Sequence, residues 1–246
     1  MSVSISALLL VVAVGAKPPC GELVDELKQA YLYEPGYHLD AVHRGEAKKY
    51  EPQAGDLLFF TDDIWYWHVG YKLALTGAPY HCAIVTKLPN GDFATFESGP
   101  NDTLKIELCP LRSRLQSYVG IIHVRRRAKP MTEAQVKLPN DFAFGQDGKR
   151  YGLLRLGAQI TVLRSRGPVR TYFMGKSKGP GHSSFTCSEA VMEALVAAEL
   201  IDRETARPGA TYPRDMFFDR SVNFYLDKHF SLSPDWDKPQ LWTVNP

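Results

Sequence analysis

The apolar positions along the chain change their period several times, and each change predicts a different element. Residues 5–16 form an apolar run that closes on the small residues Val14, Gly15 and Ala16. That length and ending fit a signal-peptide core, whereas a membrane span needs about 20 apolar residues. Export, with residues 1–16 as the leader, is the expected reading. A buried first helix in a cytoplasmic protein is the alternative, because no Lys or Arg precedes the run. In residues 22–33, Leu23, Leu27, Ala30 and Tyr31 recur at helical spacing until Pro35 and Gly36 break the pattern, which predicts a short amphipathic helix. Four compact runs follow: LLFF at 57–60, HCAIVT at 81–86, FATFE at 93–97 and GIIHVR at 120–125. They are short, rich in β-branched and aromatic residues and bounded by turn residues, as strands are, and Pro89-Asn90-Gly91-Asp92 supplies hairpin chemistry between the second and third. From Phe185 onward the period returns to three and four, with Val191, Ala194, Leu195 and Ala198 on one face of a helix. The predicted class is α+β: a small antiparallel sheet packed against a helix.

Composition narrows this picture without redirecting it. A chain of 246 residues with 44% hydrophobic content can bury one sizeable core, so residues 17–246 are read as a single domain. The formal charge of +2 gives no long-range field to gather nucleic acid, and the basic stretches at 125–127 and around Arg164, Arg166 and Arg170 read as solvated surface. No stable membrane span is expected. Residues 129–181 are rich in Gly, Pro, Arg and Lys with weak periodicity, and read as a partly helical connection beside the site. The end of the chain, with Pro234, Pro239 and Pro246, reads as an extended tail. Cysteines at 20, 82, 109 and 187 match neither a disulfide framework nor a metal knuckle, and at least one free thiol is expected. Lys17-Pro18-Pro19 lacks the small residues that lipidation of Cys20 would need.

Cys187 is the position with chemical promise. Thr186 or Ser184 can cap the helix that follows, which places the thiol in its first turn, where free N–H groups and the helix dipole favour thiolate and can hold an oxyanion. By position alone a small buried cysteine is as good a reading. A base must tip the balance. His81 opens a predicted strand, and Glu97 closes the next one across the hairpin, so the two are candidates for a cross-strand pair at one sheet edge. Histidines 38, 43, 68, 123, 182 and 229 compete as bases. Cys82 follows His81 on a strand and is expected on the opposite face with a packing role only, and Cys109 in a loop before Pro110. The same alternation spoils a zinc cluster from His81, Cys82, Cys109, His182 and Cys187. The aromatic insert from Ile64 to Tyr71 is expected to border a substrate entrance, with core packing the competing reading.

The segments GDLLFF (55–60), APYHCAIV (78–85), FESGP (96–100), IHVRRR (122–127), GKRYG (148–152), FTCSEAV (185–191) and TYPRDMF (211–217) together resemble the YiiX-like branch of the NlpC-type papain-like hydrolases. Lecithin:retinol acyltransferase-like proteins are similar in the order of their catalytic residues. The resemblance implies a circularly permuted papain-like fold with the order His, acid, Cys, carried here by His81, Glu97 and Cys187. It implies a cysteine hydrolase acting on an amide or ester of peptide, cell-wall or lipid-like substrates through an acyl-enzyme, with no cofactor. An acyltransferase or a non-catalytic binding domain remains open. Where the family often carries aspartate after the tyrosine of the GKRYG-like segment, this chain has Gly152, so Tyr151 stays outside the catalytic set.

Overall fold

The structure, a computed structural model, describes residues 20, 28–159, 161, 167–226 and 231–245. The expected leader at 1–16 and residues 22–27 of the expected first helix lie outside the described residues. In chain order the first strands are β1 (Tyr31–Tyr33), β2 (Lys48–Lys49) and β3 (Leu57–Thr61), followed by helix α1 (Trp65–Leu73) and strands β4 (His81–Lys87), β5 (Phe93–Ser98) and β6 (Ile106–Pro110). Then come helix α2 (Leu111–Ser117), strand β7 (Ile121–Arg125), helix α3 (Glu133–Gln146), strand β8 (Arg150–Tyr151) and helix α4 (Leu153–Ala158). Strand β9 (Ser184–Phe185), helices α5 (Cys187–Ala197) and α6 (Pro213–Phe218) and strand β10 (Gln240–Thr243) complete the order. Among the described residues no helix is long and apolar enough to cross a membrane.

Eight strands form one antiparallel sheet in the order β2-β1-β10-β7-β3-β4-β5-β6. Period-two alternation sorts its side chains into two cores. Leu57, Phe59, Cys82, Ile84 and Phe96 face α5 and join Val191, Ala194 and Leu195. Leu58, Phe60, Ala83, Val85 and Val124 face the other way and pack with Leu111 and Leu115 of α2. The central strands are buried on both faces, which is why they read as continuous apolar runs rather than alternating ones. The hairpin between β4 and β5 turns at Gly91, whose φ of +91° suits a residue without Cβ.

Four expectations need correction. Tyr31–Tyr33 is a strand paired to β10, not the end of a helix: pairing with Leu241, Trp242 and Thr243 overrides the local helical spacing. The chain end is likewise no loose tail, because Gln240–Thr243 lies between β1 and β7. Cys109 sits in β6 opposite Thr95, not in a loop, and Pro110 is tolerated after it on an edge strand. The cysteine spacing also concealed a disulfide, Cys20 to Cys109, which leaves Cys82 and Cys187 as the free thiols among the described residues.

Candidate functional site

Helix α5 begins at Cys187 itself, with Thr186 extended as its N-cap, and the Glu189 carboxylate accepts the Thr186 backbone N–H at 3.0 Å. This is the arrangement a capping box produces, and it fixes the start of the helix to one residue. The Cys187 thiol therefore lies at the positive end of the helix dipole, buried against β4.

His81 is the first residue of β4 and keeps 19% of its side chain exposed. Its Nε2 lies 2.7 Å from Glu97 Oε2. The register pairs Ile84 with Phe96, so Glu97 is a diagonal neighbour of His81 on the same sheet face, not its direct opposite. His81 opens the strand, and Cys187, packed on the other face of the sheet, also acts on its ring. Burial opposes charge on His81, but hydrogen bonds to Cys187 and Glu97 and the charges of both outweigh it and raise its pKa to about 9. Cys187 moves the other way, well below the usual thiol range. A hydrogen bond from the Cys82 thiol is the leading cause; burial opposes it, and the His81 contact and the Cys82 backbone N–H add to it. The two shifts run in the directions that favour a thiolate beside an imidazolium.

Glu97 is held by a residue that sequence reading passed over. Arg114, on α2 and fully buried, donates from Nε to Glu97 Oε1 at 2.9 Å and from Nη2 to Oε2 at 3.1 Å, and Thr95 Oγ1 donates to Oε1 at 2.7 Å. Burial alone would raise the carboxyl, yet the Arg114 charge and the His81 bond bring it down to about 2. The Arg114 guanidinium also lies over the Phe60 ring, 4.5 Å from its centroid. A single Arg in a short, weakly periodic helix carries no signal in sequence; only the fold reveals its partner.

Two further expectations change at this point. Cys82 does face away from His81, but that same alternation sets it beside Cys187, so it is a neighbour of the thiol and more than packing. Tyr151 also comes to the site: β8 pairs in parallel with β9, placing Tyr151 opposite Phe185, two residues before Cys187, and the charge of Cys187 acts on it. The glycine that follows it has a steric reason, since a Cβ on Gly152 would lie 3.2 Å from the Phe185 carbonyl carbon. The expected aromatic insert is helical, with Tyr71 buried between Tyr80 and Tyr212 and Trp65 exposed. Of the competing histidines, His68 bonds the Asp62 carbonyl, His43 stacks on Tyr33 and His182 contacts Arg155, while His229 lies outside the described residues. No group of three or more His, Cys, Asp or Glu is placed to hold a metal ion among the described residues.

Fold and site together define an α+β protein whose antiparallel sheet presents a Cys-His-Glu constellation at the start of its central helix. No protein-family model matches the chain, and no curated protein does. Among solved structures, the metalloprotein yiiX from Escherichia coli O157:H7 is similar at 18% identity and a TM-score of 0.40, over 61% of this chain and 67% of that one. A likeness at that level carries no functional argument.

Proposed function

We propose that this chain is a cysteine hydrolase of the circularly permuted papain-like type, cleaving an amide or ester through Cys187, His81 and Glu97. The observation that carries the reading is the hydrogen-bonded line from His81 through Glu97 to Arg114, with a helix-start thiol beside His81 whose charge acts on the imidazole. The Cys187 thiolate attacks the substrate carbonyl, and the His81 imidazolium gives its proton to the leaving amine or alcohol. Neutral His81 then takes a proton from water, whose oxygen attacks the thioester; the C–S bond breaks, the acid is released, and the Cys187 thiolate and His81 imidazolium are restored. The Cys187 backbone N–H is one donor to the oxyanion in both steps. Glu97 holds the imidazole tautomer and supports its charge.

Peptide, cell-wall and lipid-like carbonyl compounds are the substrate classes to test, with acyl transfer as the variant outcome in which an alcohol or amine replaces water. The Cys20 to Cys109 disulfide supports an exported protein, because such bonds persist in oxidising compartments. The experiment is alkylation by iodoacetamide across a pH series, compared with Cys187→Ala, followed by product profiling on peptide, acylglycerol and N-acyl substrates. Cys187 should react rapidly well below the normal thiol pKa, and turnover should fall as pH rises past about 9, where His81 loses its proton. Full turnover in folded Cys187→Ala protein, or ordinary thiol titration at Cys187, would overturn the proposal.

A further inference from the structure

We propose that Asp102 is a specificity-determining positioning residue, whose carboxylate pins helix α1 across the approach to Cys187 and so governs which molecules reach the thiol. The inference rests on the reading of Cys187 as a nucleophile and adds to it the element that selects its substrates.

Asp102 Oδ2 accepts the Tyr66 hydroxyl at 2.9 Å, and Oδ1 accepts Trp67 Nε1 at 3.0 Å. One carboxylate thus takes a donor from each of two successive helical residues at the start of α1. That start has no side-chain cap from its N-cap residue and no acidic residue in its first turn, so its ring donors look outside the helix to Asp102. It is a nine-residue helix, too short to be stable by itself, and Tyr71 packed on Tyr80 and Tyr212 holds its later turns while Asp102 holds its first.

The turn that carries Asp102 is itself unusual. Asn101 and Asp102 both have left-handed backbone, with φ of +48° and +62°, directly after Pro100 and Gly99. Non-glycine residues adopt that region rarely, and two in succession persist only where contacts hold them. Here the contacts lead back to the candidate triad: Asn101 Oδ1 accepts Arg114 Nη1 at 3.2 Å, and Arg114 grips Glu97. Ser98 Oγ donates to the Phe185 carbonyl at 2.7 Å, which fastens the same strand end to the chain entering α5. The turn is therefore bolted to the site on one side and reaches α1 on the other.

What α1 does with this anchorage follows from its two faces. Inward, the Tyr71 hydroxyl donates to the Tyr80 carbonyl, one residue before His81, and the charge of Cys187 acts on the Tyr71 phenol. Outward, Trp65, Val69 and Leu73 form an exposed stripe at intervals of four. The helix thus stands beside the start of the strand that carries His81, against Tyr80 and Tyr212, and Asp102 holds its first turn there through Tyr66 and Trp67.

The test compares alkylation of Cys187 by a compact reagent, iodoacetamide, with that by a bulky one, N-phenylmaleimide, after subtracting labelling in Cys187→Ala protein. In Asp102→Ala the bulky-to-compact rate ratio should rise by about tenfold, the scale on which a pocket boundary discriminates. Asp102→Asn keeps one acceptor oxygen and should fall between. An anchorage with no selecting role would lower the unfolding temperature when lost and leave the ratio at its wild-type value, and that result overturns the inference. Should Asp102→Ala fail to fold, Tyr66→Phe with Trp67→Phe removes the same two bonds from the helix side, and an unchanged ratio there overturns it equally. Absence of Cys187 labelling by either reagent in the wild-type protein is a separate failure, of the nucleophile reading, and takes this inference with it.

Discussion

Two histidines on strands of the same sheet, one buried and one largely so, have been driven in opposite directions. His81 lies at the sheet edge between a thiol and an ionised carboxylate, and its pKa rises to about 9. His123, on β7 opposite Phe59, packs edge-on against Phe217, has no hydrogen-bond partner for either ring nitrogen, and falls to about 4, chiefly through burial. Burial is common to both, so the partners decide the sign. The region around His81 spends buried polar groups on holding a charge; the region around His123 excludes one. The linkage follows. Stability from His81 is present below its unfolded value near 6.5 and is lost as pH rises through about 9. His123 binds its proton more weakly folded than unfolded, so its contribution is lost as pH falls from about 6.5 toward 4.

The largest test of this contrast is to strip His81 of its charge support. Arg114→Met should destabilise the fold by about 3–5 kcal/mol, because it takes from the buried Glu97 the guanidinium bonded to both its oxygens and leaves only the part-exposed His81 as a charged partner. Glu97→Gln, which keeps shape and removes the charge, should be milder and should lower the alkaline limit of turnover below that of the wild type. Glu97 also adds acid sensitivity: its folded pKa of about 2 lies below the unfolded value near 4.5, so its stabilisation is lost as pH falls through that window. Urea midpoints for the Arg114 and Glu97 variants across pH check both statements, and an Arg114→Met protein as stable as wild type would remove Arg114 from the account.

Next in size is the staple on the same side of the sheet. Cys109→Ala opens a disulfide spanning 89 residues and should cost about 2–4 kcal/mol, where the spacing of the cysteines had suggested little or nothing. Thermal unfolding of the variant, and of reduced wild-type protein, measures it. An unfolding temperature equal to wild type in both would contradict the pairing.

The strands that build the site were legible because they are buried on both faces and bounded by Gly, Pro, Asn and Asp, so LLFF, HCAIVT and FATFE could hardly be anything else. Helix α5 was legible from its apolar face and its cap. His81, Glu97 and Cys187 could be singled out as candidates because each ends or begins an element. What was hidden is tertiary by nature. Arg114 is a charged residue in a helix with no clear period, and nothing local separates it from a solvated arginine. His81 and His123 both sit in apolar strands, and only their neighbours across the sheet tell one from the other. Tyr31–Tyr33 and Gln240–Thr243 are strands because they find each other from opposite ends of the chain, which no window of residues contains.

A smaller effect sharpens the other half of the contrast. His123→Phe keeps the ring contact with Phe217 and removes both the two nitrogens without partners and the titrating group, so any gain over the wild type at pH 7.5 should grow as pH falls from about 6.5 to 4.5. Urea midpoints at the two pH values decide it. A gap that stays constant would mean that His123 does not exclude its proton in the folded state.

The finest adjustment concerns the thiol itself. Cys82 lies on the α5 side of the sheet with Cys187, and its S–H is the leading cause of the lowered Cys187 pKa, ahead of His81. The Cys82 thiol is correspondingly raised far above its usual range, mainly by burial and then by that bond, so it stays protonated and able to donate. Cys82→Ala deletes this donor but keeps the backbone N–H of residue 82 and the His81 contact. The midpoint of the iodoacetamide rate against pH should therefore move upward, by less than in His81→Ala, with the alkaline plateau unchanged. Cys82→Ser restores an O–H donor and should recover most of the shift, which an effect of packing alone would not do. Removing one sulfur from the core adds a stability loss of roughly 1 kcal/mol, readable separately by thermal unfolding. A Cys82→Ala profile that overlays the wild type, while that of His81→Ala moves, would return Cys82 to the role alternation first suggested for it, and leave the helix start and His81 to hold the thiolate between them.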